Sequence, residues 1–176
     1  MLANARTRGA AANLVRGRAE SLPFEDASFD LTYSVDVIHH VVDRARYYRE
    51  ARRVLDANGL LCTVTESEDM IRRREPHATY FPEAVEVEIA RYPRIEDLRR
   101  MMEDAGFGSI ETTTVELVDR MTDARMYADK ACSSLHLIAE DAFRRGMRRL
   151  EAELAKGPLP RQWRYVLLWA RGDERA

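Results

Sequence analysis

Two cysteines in 176 residues, with no CxxC spacing, exclude a disulfide framework and a cysteine-built zinc site. Histidine is nearly as scarce, at four residues, and no grouping of ligand-type side chains suggests a bound metal. An excess of charge of one sign is also lacking. The net charge of -2 gives no reason to expect nucleic acid or a membrane surface as a partner. No stretch approaches the roughly eighteen apolar residues of a membrane-spanning helix. Met1 to Arg18 has basic residues but no continuous apolar segment, so it does not read as a signal peptide, and a reducing cytoplasm is the default expectation. Glycine is sparse where it would matter most. The only G-x-G, Gly106-Phe107-Gly108, follows a helical pattern rather than a strand, and reads as a helix stop rather than a ligand-cradling loop.

What is present is charge without bias. Arginine clusters at Arg72 to Arg74, Arg99-Arg100, Arg144-Arg145 and Arg148-Arg149 all have acids nearby and read as solvated helix faces. Leu2 to Ala12 reads as a helix and Asn13 to Arg16 as a short strand. Phe29 to Val35 alternates around Leu31, Tyr33 and Val35 and predicts a buried strand. Asp43 can cap a helix whose inner side is Ala45, Tyr48, Ala51 and Leu55. After a turn at Asn58-Gly59, Leu60 to Thr65 is the nearly unbroken apolar run of a strand covered on both faces, and Cys62 within it reads as small core.

Further along, a short helix is expected after Pro82. Another opens at Pro93, with Ile95, Leu98, Met101, Met102 and Ala105 inward and Gly106 as its stop. Ile110 to Val118 predicts a strand, Ser134 to Lys156 a long helix, and Trp163 to Arg171 a final strand. Alternating strands and helices point to an α/β sheet with helices on both faces. His77 and His136 have no obvious partners and read as surface or satisfied residues.

Three blocks stand out by order and spacing. They are Arg18-Ala19-Glu20-Ser21-Leu22-Pro23-Phe24 followed by Ser28-Phe29-Asp30, then Val37-Ile38-His39-His40-Val41-Val42-Asp43, then Arg53-Val54-Leu55-Asp56-Ala57-Asn58-Gly59. Together they resemble the middle of a class I S-adenosylmethionine-dependent methyltransferase of the small-molecule kind often labelled type 11. Asp104-Ala105-Gly106-Phe107 resembles a smaller turn of the same family.

The resemblance implies a Rossmann-like methyltransferase sheet that is truncated at its amino end, its first two strands missing, and with them the glycine-rich cofactor turn. It implies a single domain over residues 1–176, with 1–66 a cofactor-half remnant and 67–176 the lid segments and C-terminal strands. S-adenosyl-L-methionine would be the cofactor, contacted by Arg18, Ala19, Glu20, Leu22, Ser34, Val35 and His39. In this reading Leu22 and Phe24 wall the adenine. Arg18 stands where many relatives place Asp, and a guanidinium has only donors, so it cannot accept from the adenine amino group. His39 and His40 are the catalytic candidates; neighbouring helical histidines point about 100° apart, which argues against a shared metal. Tyr80, Phe81, Arg91 and Tyr127 are the candidates for binding a small-molecule substrate. The alternative is a non-catalytic remnant of the fold that serves as a binding or dimerisation module, since an unpaired strand edge invites a second copy.

Overall fold

The computed structural model describes residues 13–172, and its frame is a four-stranded sheet of order β1-β2-β4-β3. The strands are β1 (Phe29–Val35), β2 (Leu55–Thr65), β3 (Phe107–Met121) and β4 (Leu159–Gly172). β1 and β2 run parallel and in register from Leu31↔Leu60 to Val35↔Val64, as expected of the two apolar runs. β4 is antiparallel to both β2 and β3. Helices α1 (Arg44–Val54) and α5 (Ile95–Asp104) cover one face. The segments α2 (Glu68–Arg72), α3 (His77–Tyr80), α4 (Pro82–Arg91), α6 (Arg125–Ala128) and α7 (Glu140–Leu154) gather with β4 near one end of the strands.

Local chemistry accounts for most boundaries. Asp43 caps α1 by accepting from the Arg46 N–H at 2.9 Å. Pro82 opens α4, and Gly106, at φ 89°, lets the chain leave α5 for β3. Two cores result. Tyr48, Leu61, Leu98, Met102 and Leu168 close the first, between sheet and helices. Phe81, Tyr127, Leu135, Phe143 and Leu150 close the second, among the lid segments.

Several expectations need correction. Leu2 to Ala12 lies outside the described residues. Asn13 to Arg16 forms no strand, because no neighbouring strand offers it a ladder among the described residues; the nearest pairing is a single bridge between Arg18 and Ser21. The Asn58-Gly59 turn is a bulge inside β2, where two residue steps on β1 face five on β2 and Asn58 N–H bonds the Asp56 carboxylate at 2.9 Å. The long helix starts at Glu140 rather than Ser134, with a separate 3₁₀ turn at Ser133–His136. Leu31, Tyr33 and Val35 are exposed rather than buried, since β1 is an edge strand whose helix-covered face carries Thr32 and Ser34 instead. That small polar face is matched by tyrosines of α1: Tyr47 donates to Ser34 Oγ at 3.0 Å, and Tyr48 reaches Thr63 Oγ1.

The tightest contact is at Gly146 in α7. A Cβ there would sit 2.5 Å from both the Tyr80 carbonyl oxygen and Phe81 Cε1. Alanine gains about 1 kcal/mol in helix propensity, but overpacking a fixed backbone oxygen costs about 1–3 kcal/mol. Gly146→Ala therefore lowers the urea midpoint, whereas Arg148→Ala, on the exposed side of the same helix, stays within about 0.5 kcal/mol of the parent. An unchanged or raised midpoint for Gly146→Ala would refute this packing.

Candidate functional site

Two hollows meet at the C-terminal end of β1. The first is a groove of about 430 Å³ along the free edge of that strand, walled by Ala19, Leu22, Phe24, Ser34, Val35 and Val37 among others. Its outer loop is held to α1 by Arg53 and Glu50. Arg53 donates to the carbonyls of Leu22 (3.1 Å) and Phe24 (2.8 Å) and pairs with Asp26 and Glu50. Glu50 in turn accepts the Leu22 N–H at 2.8 Å, and the Arg53 hydrogen bonds lower its carboxyl to about 2. Sequence reading treats Arg53 as part of a helix-turn signal; in the structure it is what positions the Leu22-Pro23-Phe24 loop.

The second hollow is a cavity of about 290 Å³ on the lid side, reached by Asp36, His39, Tyr92, Cys132, Trp163 and Tyr165 among its lining residues. Asp36 takes a positive φ of 52° immediately after β1. It accepts from the Tyr92 hydroxyl at 2.6 Å, and its Oδ1 lies 3.6 Å from His39 Nδ1, an electrostatic contact rather than a hydrogen bond. His39 stacks on Tyr92 with ring centroids 4.1 Å apart. Burial lowers its imidazole to about 4 despite the opposing Asp36 charge, so the ring is neutral at pH 7. Its Nδ1 is enclosed without a hydrogen-bond partner, while Nε2 keeps contact with open space. The exposed His40 meets Arg91 at 3.1 Å; an arginine can only donate, so Nδ1 accepts.

Behind the cavity lies a buried charge cluster. Arg74 pairs with Glu66, from the end of β2, at 2.6 Å and with Glu88 of α4, and its guanidinium lies 5.3 Å from the Trp163 ring centre. Burial works against the Arg74 charge, but the two carboxylates outweigh it and raise its affinity for the proton. Glu88 also accepts from Ser134 Oγ at 2.7 Å. Burial raises Glu66 to about 7, and its Oε1 has no partner. Cys132 is no nucleophile, since burial pushes its thiol up to about 11.

These positions divide the sequence-predicted residues. Ala19, Leu22, Ser34 and Val35 share the groove. Arg18 and Glu20 pair at 3.6 Å beside a separate shallow hollow with Val42 and Asp43. His39 and His40 line the cavity instead. Of the substrate-pocket candidates, Arg91 sits at the rim, bonded to Ser133 Oγ at 3.2 Å. The structure does not bring the others there. Phe81 and Tyr127 stack on each other in the second core, 5.1 Å apart, and Tyr80 lies against Arg149.

Two other readings are overturned. His77 is fully buried, neither ring nitrogen has a hydrogen-bond partner, and burial lowers it to about 4. Arg74 is buried although Arg72 and Arg73 beside it are solvated and paired with Glu68, Glu86 and Asp69. Asp36, Glu66, Glu88, Tyr92, Trp163 and Tyr165 were not legible as site residues. The one signal available was a carboxylate directly after a strand, at Asp36 and again at Glu66.

Comparison with known proteins turns on the same segment. Residues 1–63 match the family model described as a methyltransferase domain. A protein named as a methyltransferase in Encephalitozoon cuniculi is 50% identical over 62 residues, 34% of this chain and 29% of that protein. A protein of Mycobacterium tuberculosis named as an S-adenosylmethionine-dependent methyltransferase is 38% identical over 64 residues, 36% of this chain and 23% of that one. The chain thus matches well under a third of the length of these relatives. A crystal structure from Anabaena variabilis, named as a methyltransferase from an antibiotic biosynthesis pathway, superposes with a TM-score of 0.68 at 19% identity. That alignment covers 87% of this chain and 71% of the other. The fold is therefore the Rossmann-like methyltransferase fold, and the methyltransferase match covers the strand and turns that border both hollows.

Glu66 supplies a test of the buried cluster. Its folded pKa lies above the unfolded value near 4.5, so the native state holds an extra proton between about pH 4.5 and 7, and its contribution to stability is lost as pH rises through that window. His39 and His77, lowered to about 4, act with opposite sign, losing stability as pH falls below about 6.5. Glu66→Gln removes only the first effect. Relative to the parent, the variant gains stability between pH 4.5 and 8, by on the order of 2 kcal/mol. Denaturation midpoints across that range check the sign; a flat difference refutes the raised pKa.

Proposed function

We propose that this chain forms the acceptor pocket and part of the nucleoside pocket of an S-adenosylmethionine-dependent methyltransferase acting on a small molecule. The observation that carries the reading is the placement of Ser34 and Val35 in the groove with Asp36 and His39 in the cavity. One strand end separates the two by a single residue. The groove suits the purine half of the cofactor, being apolar and walled by Leu22, Phe24 and Val37. Ala19, Leu22, Ser34 and Val35 are the residues that would hold it. The cofactor supplies a methyl group on a sulfonium, a centre that needs no metal to activate it.

The residues of the cavity supply positioning and a proton acceptor. The aromatic wall of Tyr92, Trp163 and Tyr165 restricts the acceptor's approach. His39, neutral at pH 7, can take a proton at Nε2 from an acceptor that must lose one. Asp36, facing Nδ1, favours the tautomer that leaves Nε2 free and stabilises the imidazolium that forms. His40, tied to Arg91, shapes the rim.

The nucleoside half is incomplete on this reading. No carboxylate lines the groove among the described residues, so the ribose hydroxyls find no charged acceptor among them. Loss of one charge-assisted hydrogen bond costs about 1.5–3 kcal/mol. The apolar outer side of β1, with Tyr33 70% exposed, favours the second reading, a module that binds without transferring methyl groups. Calorimetric titration with S-adenosylhomocysteine separates the possibilities. The chain should bind it no tighter than about 100 μM, with amide shifts at Ala19 to Phe24 and at Ser34-Val35. A low-micromolar constant would overturn the incompleteness, and no shift at those amides would overturn the groove assignment.

A further inference from the structure

We infer that the lid-side cavity takes an amine in its protonated form, with the ammonium on Asp36 and an apolar body against the aromatic wall. The inference rests on the reading of this cavity as the acceptor pocket, and it names the class of acceptor. Its argument is an inventory of which charges at the cavity are already engaged. Arg74 is committed to Glu66 and Glu88 and lies against Trp163. Arg91 lies outside the lining, at the rim, where it donates to Ser133 Oγ and His40 Nδ1. No lysine lines the cavity, and His39 is neutral. Among the lining residues, an incoming carboxylate or phosphate therefore finds no cation that is not already paired with carboxylates.

The acids are not so fully engaged. Both contacts of Asp36 fall on Oδ1, from the Tyr92 hydroxyl and toward His39, which leaves Oδ2 without a protein partner among the described residues. The residue's positive φ sends the chain away from the strand immediately after the carboxylate. Tyr92 fixes the orientation of that carboxylate, so little ordering remains to be done when a ligand arrives. Glu88 lines the same cavity, with its carboxylate shared between Arg74 and Ser134. The rest of the wall is aromatic and thioether surface: Tyr92, Trp163, Tyr165 and Met126. Rings of this kind attract a cation at their faces. One solvent-facing carboxylate oxygen without a protein partner and several π faces in a small cavity form a recognition set for an alkylammonium group.

Binding to the whole chain, with no methyl donor present, tests this directly. The probes are phenethylamine, phenylacetate and 2-phenylethanol, which share one ring and differ in the charge of the head group. Trp163 fluorescence and calorimetry report occupancy, with Trp163→Phe identifying the cavity component of the signal. The amine should bind at least about tenfold more tightly than either of the others. Asp36→Asn should cost the amine about tenfold and leave the alcohol unchanged. Asparagine suits this position because it tolerates positive φ, so the fold is retained. Equal or tighter binding of phenylacetate, an Asp36→Asn variant that holds the amine as well as the parent, or no detectable amine binding would each overturn the inference. Amine binding together with failure of S-adenosylhomocysteine to perturb the groove would leave this inference standing and remove the methyltransferase reading. The reverse result would keep that reading and reject the amine.

Discussion

The buried pairing of Arg74 with Glu66 and Glu88 is the constraint on which the functional half of the molecule depends. Three elements meet there: the end of β2 brings Glu66, α4 brings Glu88, and the Arg74 guanidinium lies against Trp163 of β4. Taking three charges out of water is expensive, and a buried ion pair is weak evidence of net stability. What it supplies is registration. If Arg74 were removed, two carboxylates would stay buried without a counter-charge, a loss of about 3–5 kcal/mol by the behaviour of such clusters. The pairing ties α4 and the segment carrying Arg74 to the end of β2 and to β4, beside the cavity. Ser134 joins the cluster through Glu88, which brings the segment with Cys132 and Ser133 to the cavity wall.

A second, smaller device does the same for the groove. The two sequence blocks that resemble the family, one at Arg18 to Phe24 and one at Arg53 to Gly59, are joined physically by Arg53. Its guanidinium spans from the end of α1 to the carbonyls of Leu22 and Phe24. A fork of donors in fixed geometry suits two carbonyls and two carboxylates at once, which a lysine could not satisfy. In this chain the second block holds the first in place.

Much of the frame was readable in advance because it depends on neighbours in sequence. The Asp43 cap, the Pro82 helix start, the Gly106 exit and the parallel pairing of Phe29 to Val35 with Leu60 to Thr65 all follow from local pattern. The cavity was far less readable. Arg72, Arg73 and Arg74 look alike in the chain, but side chains about 100° apart around a helix end meet different surroundings, and only the third turns inward. Phe81 and Tyr127 were plausible pocket residues by position, yet they satisfy each other in a core that no local pattern announces. Tyr92 and Asp36 are 56 residues apart in sequence and joined by a 2.6 Å bond. Nothing in either segment alone specifies that contact. Leu31, Tyr33 and Val35 were read as buried from their alternation, and alternation is indeed there. The pattern fixes which residues share a face but not whether that face is covered.

The fold alone does not decide the chemistry, since one scaffold carries many activities. What narrows it is the single turn at Ser34-Val35-Asp36-Val37. Alternation along β1 and its free edge give Ser34, Val35 and Val37 to the groove, while the left-handed turn at Asp36 gives that carboxylate to the cavity. A group leaving a ligand in one hollow for a ligand in the other has only the width of the strand end to cross. On the proposed reading, such proximity between two differently built pockets, one apolar and one polar, is the arrangement that group transfer needs. Had Asp36 kept the extended geometry of the strand, the chain would have run on past Val35 and no carboxylate would face His39 from this point. The division between the two pockets, and the chemistry that division permits, therefore rests on one residue held at positive φ by the Tyr92 hydrogen bond and by its own N–H on the Val64 carbonyl.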